Sequence, residues 1–216
     1  MLTKKSGFAV VFGVMLFLLP VCISITSVYA QEKPVDNSAT TLDNLMTAYN
    51  AEVNANARYI AFSKKANEEG YDIAASLFRA TAAAEQVHYE RHGEVIKKLG
   101  GTPNAIIETP VVNSTTENIE SAFRGEVYEK DLMYPAFLKQ AEKEKIEDAI
   151  DAFEDAGAAE GVHAELYAGM LKNLTISRGL SKDFYVCPVC GNAVDAVTSA
   201  MCPICLTDTK KFKRVR

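Results

Sequence analysis

The sequence has no cysteine between Cys22 and Cys187, so its long middle section holds no disulfide bond. Positive charge is also scarce: 23 Lys and Arg residues stand against 28 Asp and Glu residues, for a net charge of −5. A chain with this balance is a poor candidate for binding nucleic acid or an anionic membrane surface. It also lacks a glycine-rich nucleotide-binding fingerprint, which argues against a binding site for NADH.

The first thirty residues have the pattern of an export signal. Lys4 and Lys5 precede an apolar run from Phe8 to about Ile25, and the ending Val28-Tyr29-Ala30 stands just before polar residues. We therefore predict that residues 1–30 are a signal peptide and that the protein is exported to the periplasm. Cleavage would remove two lysines and shift the net charge from −5 to −7. An uncleaved membrane anchor is the alternative, because the apolar run is long.

Hydrophobic periodicity predicts four helices after a polar linker at residues 31–39. They are expected from Thr40 or Thr41 to about Gly70, from Asp72 to Leu99, from Thr116 to about Lys143, and from Ile146 to Leu171. Residues 102–115 contain two prolines and are predicted to be a crossover connection, while Pro135 should kink the third helix. The predicted fold of residues 40–175 is an all-α four-helix bundle with one long connection.

An internal repeat relates the two halves of this bundle. A shift of 75 residues aligns the Tyr59 segment with the Tyr134 segment, and sixteen positions between 59 and 99 are then identical without a gap. The repeat also superimposes Glu85-x-x-His88 on Glu160-x-x-His163, each within an alanine-rich segment. Glu and His three residues apart share one helix face. Two helical hairpins packed about a pseudo-twofold axis would therefore bring both Glu-x-x-His pairs together.

This arrangement is typical of bundles that bind two metal ions, in which the other two helices each supply a further Glu. Glu52 lies two turns before Tyr59, and Glu126 and Glu129 lie before Tyr134. Taken singly, each of these acids would more often be a solvated surface residue, but repetition at a fixed offset favours a site. The predicted metal ligands are Glu52, Glu85, His88, Glu126, Glu129, Glu160 and His163. Tyr59 and Tyr134 would donate hydrogen bonds that orient them. His92 has Tyr167 as its counterpart and is predicted to be structural.

The C-terminal segment, residues 180–216, has a different character. It contains Cys187-x-x-Cys190 and Cys202-x-x-Cys205, a spacing typical of a tetrahedral four-thiolate metal site. A segment this short cannot bury a useful core, so the metal would supply folding free energy. Iron would make the module a one-electron carrier, and zinc would make it structural. Two disulfides are a further alternative.

The combination resembles the rubrerythrins, which join a ferritin-like di-iron bundle to a small, β-rich, rubredoxin-like iron module. The resemblance covers residues 40–216 and includes Arg58-Tyr59, Met133-Tyr134 and the motifs above. It implies two irons bridged by Glu85 and Glu160, with Glu52 and Glu126 as terminal ligands. It further implies that Glu129 and His88 exchange on one iron. Two departures are Leu206, where such modules usually have glycine, and Asn192, where an aromatic residue is common.

The function implied by the resemblance is a non-haem di-iron peroxidase that reduces hydrogen peroxide to water in oxidative-stress defence. Electrons would come from an external donor, a rubredoxin or a reductase, through the iron bound by the four cysteines and across a head-to-tail homodimer. The catalytic residues would be Glu129, His88, Tyr59 and Tyr134, with the tyrosines assisting proton transfer. A ferritin-like protein that oxidises and binds iron and an oxidase that reduces dioxygen are the alternatives.

Overall fold

The computed structural model describes residues 35, 36 and 38–216. The predicted signal peptide and the first part of the predicted linker lie outside the described residues. Within them, the helices are α1 (Thr41–Glu68), α2 (Asp72–Lys98), α3 (Thr115–Tyr128), α4 (Tyr134–Glu144) and α5 (Glu147–Asn173). A short π-helical segment joins α3 to α4 without a break, so the two together form the third helix of the bundle. The predicted four-helix bundle is therefore confirmed. In the part of the chain that the structure describes, no helix is both long and apolar enough to span a membrane.

Side-chain caps define the starts of α1 and α3. Thr40 accepts a hydrogen bond from the Asp43 N–H, and the Asp43 carboxylate accepts one from the Thr40 N–H in return. Ser114 and Glu117 form the same reciprocal pair at α3. Each pair satisfies two N–H groups that the first helical turn leaves unpaired. Asp72 is the first residue of α2, as predicted, and its negative charge interacts favourably with the dipole of the helix.

A five-residue π-helical segment, Glu129–Met133, connects α3 to α4. Tyr59 lies seven positions after Glu52, but Tyr134 lies eight positions after Glu126. The π turn accommodates the extra residue, because the Tyr134 N–H bonds to the Glu129 carbonyl five residues back. Pro135, predicted to kink this helix, lies in the first turn of α4 directly after the widened turn. The second half of the repeat thereby regains the register of the first.

The crossover between α2 and α3 is irregular and lies against α1. The Asn54 side chain donates to the Ile106 carbonyl at 3.0 Å and accepts from the Glu108 N–H at 2.8 Å, and Asn50 accepts from the Ile106 N–H at 2.8 Å. Two asparagines on one face of α1 therefore supply hydrogen-bond partners for backbone groups of the crossover, which has no neighbouring strand to pair with.

The hydrophobic core is divided into two parts by the layer of predicted ligands. One part contains Tyr59, Phe62, Phe78 and Tyr167, and the other contains the repeat-related Tyr134, Phe137 and Phe153. Tyr49 packs partly buried against the second. Aromatic residues thus pack on both sides of the layer of acids.

The C-terminal module is a three-stranded antiparallel sheet with two cysteine hairpins. Its strands are β1 (Phe184–Val186), β2 (Ala193–Val194) and β3 (Lys213–Val215), in the order β2-β1-β3. Phe184, Val186 and Ala193 are buried in the same apolar cluster as Phe78 and Tyr167. The module therefore packs on the bundle of its own chain.

Candidate metal centres

Buried carboxylates and imidazoles from four helices converge at the middle of the bundle. They form two groups, in each of which one ligand atom per residue lies within 4.8 Å of the others. The first group is Glu52, Glu85, His88 and Glu160, and the second is Glu85, Glu126, Glu160 and His163. Glu85 and Glu160 belong to both groups, as bridging ligands would. Six of the seven predicted ligands are thus brought together.

The two groups are related by the internal repeat. Tyr59 donates a hydrogen bond of 2.6 Å to Glu126 Oε1, and Tyr134 donates to Glu52 Oε1. Each tyrosine therefore holds the carboxylate supplied by the opposite half of the repeat. Glu160 contacts both imidazoles, at 2.9 Å from His88 Nδ1 and 2.7 Å from His163 Nδ1.

The electrostatics of this cluster reflect many acids buried close together. Burial, followed by the charges of Glu85 and Glu160, raises the pKa of Glu126 from 4.5 to about 8 and holds the pKa of Glu52 well above its usual range. Burial disfavours the charged form of His88, but the adjoining Glu160 outweighs it and raises the pKa of that imidazole. Burial likewise opposes ionisation of Glu160, but the two histidines outweigh it and lower its pKa.

These residues fit a pair of cations. Several carboxylate oxygens here are buried without a hydrogen-bond partner, among them Glu52 Oε2, Glu85 Oε1 and Glu126 Oε2. The two oxygens of Glu160 face only the imidazoles of His88 and His163. Unpaired buried oxygens of this kind are costly unless a positive charge meets them. The mixed carboxylate and imidazole donor set suits iron or manganese.

Glu129, the remaining predicted ligand, lies outside both groups. It is the first residue of the π segment and is 6 % exposed, whereas Glu52 and Glu126 are fully buried. Burial and the charge of Glu52 raise its pKa well above the usual value. In this structure His88 therefore occupies the ligand group, and Glu129 stands at its margin.

His92 has a contact that the sequence did not predict. Its Nε2 lies 3.0 Å from the Tyr134 hydroxyl, which itself donates to Glu52. Burial, followed by the charge of His88, lowers the pKa of His92 to about 3, so its ring is neutral. Because the Tyr134 proton is donated to Glu52, the Nε2 of His92 is the donor to the Tyr134 oxygen. The only sequence signal was the asymmetry of the repeat, which places Tyr167 at the equivalent position. Tyr167 instead contacts the Thr81 hydroxyl at 2.5 Å.

The four cysteines form a second candidate centre. Sγ of Cys187 lies 3.5 Å from Sγ of Cys205, and Sγ of Cys190 lies 3.6 Å from Sγ of Cys202. All four thiols are free, so the disulfide alternative is wrong for this structure. Metal–sulfur bonds of about 2.3 Å in a tetrahedron would place sulfurs roughly 3.8 Å apart, close to the observed spacing.

The two cysteine hairpins differ at the position after each Cys pair. Gly191 has φ +73°, and Leu206 has φ +59°. Leu206 therefore adopts the left-handed conformation that glycine adopts without strain. The leucine found at position 206 in place of the usual glycine therefore leaves the left-handed backbone conformation of the second hairpin unchanged.

The cysteine centre touches the carboxylate centre directly. His88 Nε2 donates to the Cys190 carbonyl at 3.0 Å, and His163 Nε2 donates to the Gly191 carbonyl at 3.2 Å. Carbonyls only accept, so these bonds place a proton on Nε2 of each ring. Nδ1 is then the nitrogen that faces the carboxylates and could bind a metal. A Cβ atom on Gly191 would lie 2.2 Å from His88 Nε2, so only glycine permits this approach.

Comparison with known proteins identifies the same combination of parts. The family model described as rubrerythrin matches residues 43–171. Nigerythrin from Nitratidesulfovibrio vulgaris is 36 % identical over 174 residues, covering 80 % of this chain and 85 % of that protein. Rubrerythrin-2 from Clostridium acetobutylicum is 30 % identical over 179 residues, covering 82 % of this chain and 97 % of that protein.

Solved structures agree with these relatives. The fully reduced, all-ferrous state of nigerythrin superimposes with a TM-score of 0.77 at 34 % identity, covering 85 % of this chain and 89 % of that one. A bacterioferritin from Desulfovibrio desulfuricans matches with a TM-score of 0.62 at 23 % identity, covering 68 % of this chain and 91 % of that one. This second likeness concerns the bundle fold alone.

Proposed function

Because the chain belongs to the rubrerythrin family, we propose that it is a di-iron peroxidase that reduces hydrogen peroxide to water with electrons relayed through its cysteine-bound iron. Members of the family are oxidoreductases of oxidative-stress defence that bind a di-iron site and a rubredoxin-like iron held by four cysteines. The four cysteines and the buried carboxylate–imidazole groups of this chain provide both sites. The peroxide substrate and the relay go beyond family membership.

The contact between the two centres carries this proposal. From the Cys190 sulfur, covalent bonds lead through its own backbone carbonyl to the hydrogen bond of His88, and Gly191 provides the parallel route to His163. A protein that only stores iron needs no such connection to a thiolate site. This contact therefore favours a redox enzyme over the ferritin-like alternative.

The relay we propose runs within one chain. The cysteine hairpin that contacts both histidines belongs to the same polypeptide as the bundle. The resemblance implies instead a relay across a head-to-tail homodimer, and the contact within one chain is what favours the intrachain route.

Hydrogen peroxide is the proposed substrate because its reduction takes as many electrons as a pair of irons can supply. Cleaving the O–O bond of one hydrogen peroxide molecule to form two waters takes two electrons and two protons, and the iron pair supplies the two electrons when bound. The Tyr134 hydroxyl lies between Glu52 and the N–H of His92, and the Tyr59 hydroxyl is bonded to Glu126. Burial, followed by the charge of Glu126 or Glu52, raises the pKa of each tyrosine well above its usual value. Both phenols therefore stay protonated and can donate a hydrogen bond or proton beside the site.

Glu129, an external electron donor and the N-terminal signal have the remaining proposed roles. Glu129 lies beside the ligand groups and would exchange with His88 when the oxidation state changes. An external donor, a rubredoxin or a reductase, would reduce the cysteine centre. We also propose export to the periplasm through the N-terminal signal. A mass measurement of the mature protein tests cleavage after Ala30.

Rapid mixing tests the function. The purified protein should contain iron in both centres, and its anaerobically reduced form should be reoxidised faster by hydrogen peroxide than by dioxygen. Faster turnover with dioxygen would favour the oxidase alternative, and growth of an iron core would favour the ferritin-like one. Zinc in the cysteine site would remove the relay.

A further inference from the structure

The two cysteine hairpins are built alike, which makes Asn192 and Thr207 equivalent positions. Each lies two residues after the second cysteine of its pair. The Asn192 carbonyl accepts from the Cys187 N–H at 2.9 Å, and the Thr207 carbonyl accepts from the Cys202 N–H at 2.7 Å. Both residues therefore close their hairpins in the same way.

Both residues also contact the sulfurs. The backbone N–H of Asn192 bonds to the Cys190 sulfur, and that of Thr207 bonds to the Cys205 sulfur. Their side chains add a second contact each: Asn192 Nδ2 donates to Cys202 Sγ at 3.7 Å, and Thr207 Oγ1 lies 3.1 Å from Cys205 Sγ. When the cysteines are thiolates, the Thr207 hydroxyl is the donor in this pair.

Asn192 is unusual for a packing residue. It is fully buried, and its Oδ1 has no hydrogen-bond partner. An unpaired buried amide oxygen is destabilising, and an apolar side chain of the same size would avoid that cost. Rotating the amide would turn its oxygen toward the thiolate, so the observed orientation is the one a negatively charged sulfur favours.

We propose that the side chains of Asn192 and Thr207 set the reduction potential of the cysteine-bound iron, raising it above the value that the backbone N–H groups alone would give. Reduction of this centre adds one electron, supplied by the external donor, to an iron–thiolate centre that is already negatively charged. No proton is taken up in this step. N–H and O–H donors stabilise the more negative, reduced state, and hydrogen bonds to the sulfurs are a known determinant of such potentials. Asn192 and Thr207 are positioning residues, since neither binds the iron. The inference rests on the proposed function in requiring iron in the cysteine site.

The test is the midpoint potential of the cysteine centre in the full-length iron-loaded protein, read from its visible spectrum. Asn192→Leu and Thr207→Val each remove the side-chain donor with little change in volume. We expect each substitution to shift the reduction equilibrium about tenfold toward the oxidised state. For a one-electron couple this corresponds to a midpoint potential about 59 mV lower than that of the wild type. Thr207→Ser keeps the hydroxyl and should retain the wild-type potential.

Thr209→Val is the matched control in the same module. The Thr209 hydroxyl bonds to the Ser199 and Ala200 carbonyls at 2.8 and 3.1 Å and touches no sulfur. Its removal should leave the potential unchanged. If Asn192→Leu prevents folding, Thr207→Val, at a half-buried position, still decides the question.

The outcomes separate this inference from the proposed function. The inference would be overturned if the reduction equilibrium constants of both variants, calculated from their midpoint potentials, were within a factor of two of the wild-type value. An equal shift of the potential in Thr209→Val would also overturn it. A protein with the expected shifts but no peroxide turnover would refute the peroxidase proposal and leave the inference standing. Zinc instead of iron in the natively loaded site would refute both.

Discussion

Gly191 offers a direct test of the contact between the two centres. Its φ of +73° disfavours any side chain, and a Cβ atom would lie 2.2, 2.7 and 3.0 Å from three atoms of the His88 ring. Since His88 is held at Nδ1 among the carboxylates, its ring cannot move aside without leaving the ligand group. The substitution Gly191→Ala should therefore push the cysteine hairpin away from the bundle.

Two terms set the size of the effect. A left-handed alanine costs about 1–2 kcal/mol relative to glycine. Displacing the hairpin also breaks the bonds from His88 to Cys190 and from His163 to Gly191, at roughly 0.5–1.5 kcal/mol each. We expect Gly191→Ala to lose about 2–5 kcal/mol of stability in total.

Gly70→Ala is the matched control. Gly70 has φ +77°, but a Cβ atom added to it would meet nothing within 4 Å. This variant should lose only the backbone term of about 1–2 kcal/mol. The difference between the two variants isolates the contact with the histidines.

Two measurements decide the matter: urea unfolding of the iron-loaded variants, and the rate at which the reduced cysteine centre is reoxidised after peroxide is added. In Gly191→Ala we expect both lower stability than in Gly70→Ala and slower reoxidation of the cysteine iron. Equal stability losses together with a wild-type rate would refute the contact as the route for electrons.

Three further predictions concern pH, the second hairpin and the relay. Burial and the charges of Glu85 and Glu160 raise the pKa of Glu126 in the metal-free chain from 4.5 to about 8, so the folded state holds an extra proton between these values. The ionisation of Glu126 alone should therefore lower the stability of the metal-free protein by about 1.4 kcal/mol per pH unit as pH rises through this window. Glu52 and Glu129, whose pKa values are also raised, act in the same direction, and a stability in urea unfolding that rises with pH would contradict the assignment. Leu206→Gly should stabilise the protein by about 0.5–1 kcal/mol, because Leu206 has φ +59° and is largely exposed; a lower urea midpoint would refute this. Co-expressed Cys205→Ser and Glu160→Gln chains should not restore peroxide turnover if the relay runs within one chain, whereas recovery would indicate relay between subunits.

The sequence predicted the helices and the ligand candidates because both leave periodic traces. The start of the first helix at Thr40 or Thr41 and the shared spacing of the Glu-x-x-His pairs follow from helix geometry. The extra residue between Glu126 and Tyr134 was visible as a one-residue offset in the repeat. A count of residues could not show, however, that a π turn accommodates it, since a bulge or a shifted ligand would fit the same count.

The contacts missed from the sequence involve partners that are distant along the chain or lack a side-chain signature. His92 donates to Tyr134 across 42 positions, and its role depends on how two helices pack. Asn192 and Thr207 could be noted only as polar residues near cysteines, because which sulfur each one reaches depends on how the hairpins fold around the metal site.

Local spacing in the sequence by itself determined the four helices, their duplication, the acids and imidazoles of one centre and the thiols of the other. Each of these depends on neighbours within a few turns or on a repeated pattern. Only the tertiary structure decided that the cysteine hairpin lies against His88 and His163. That contact is made by the backbone carbonyls of Cys190 and Gly191. Because every residue has a backbone carbonyl, the residue types at these positions do not indicate the contact.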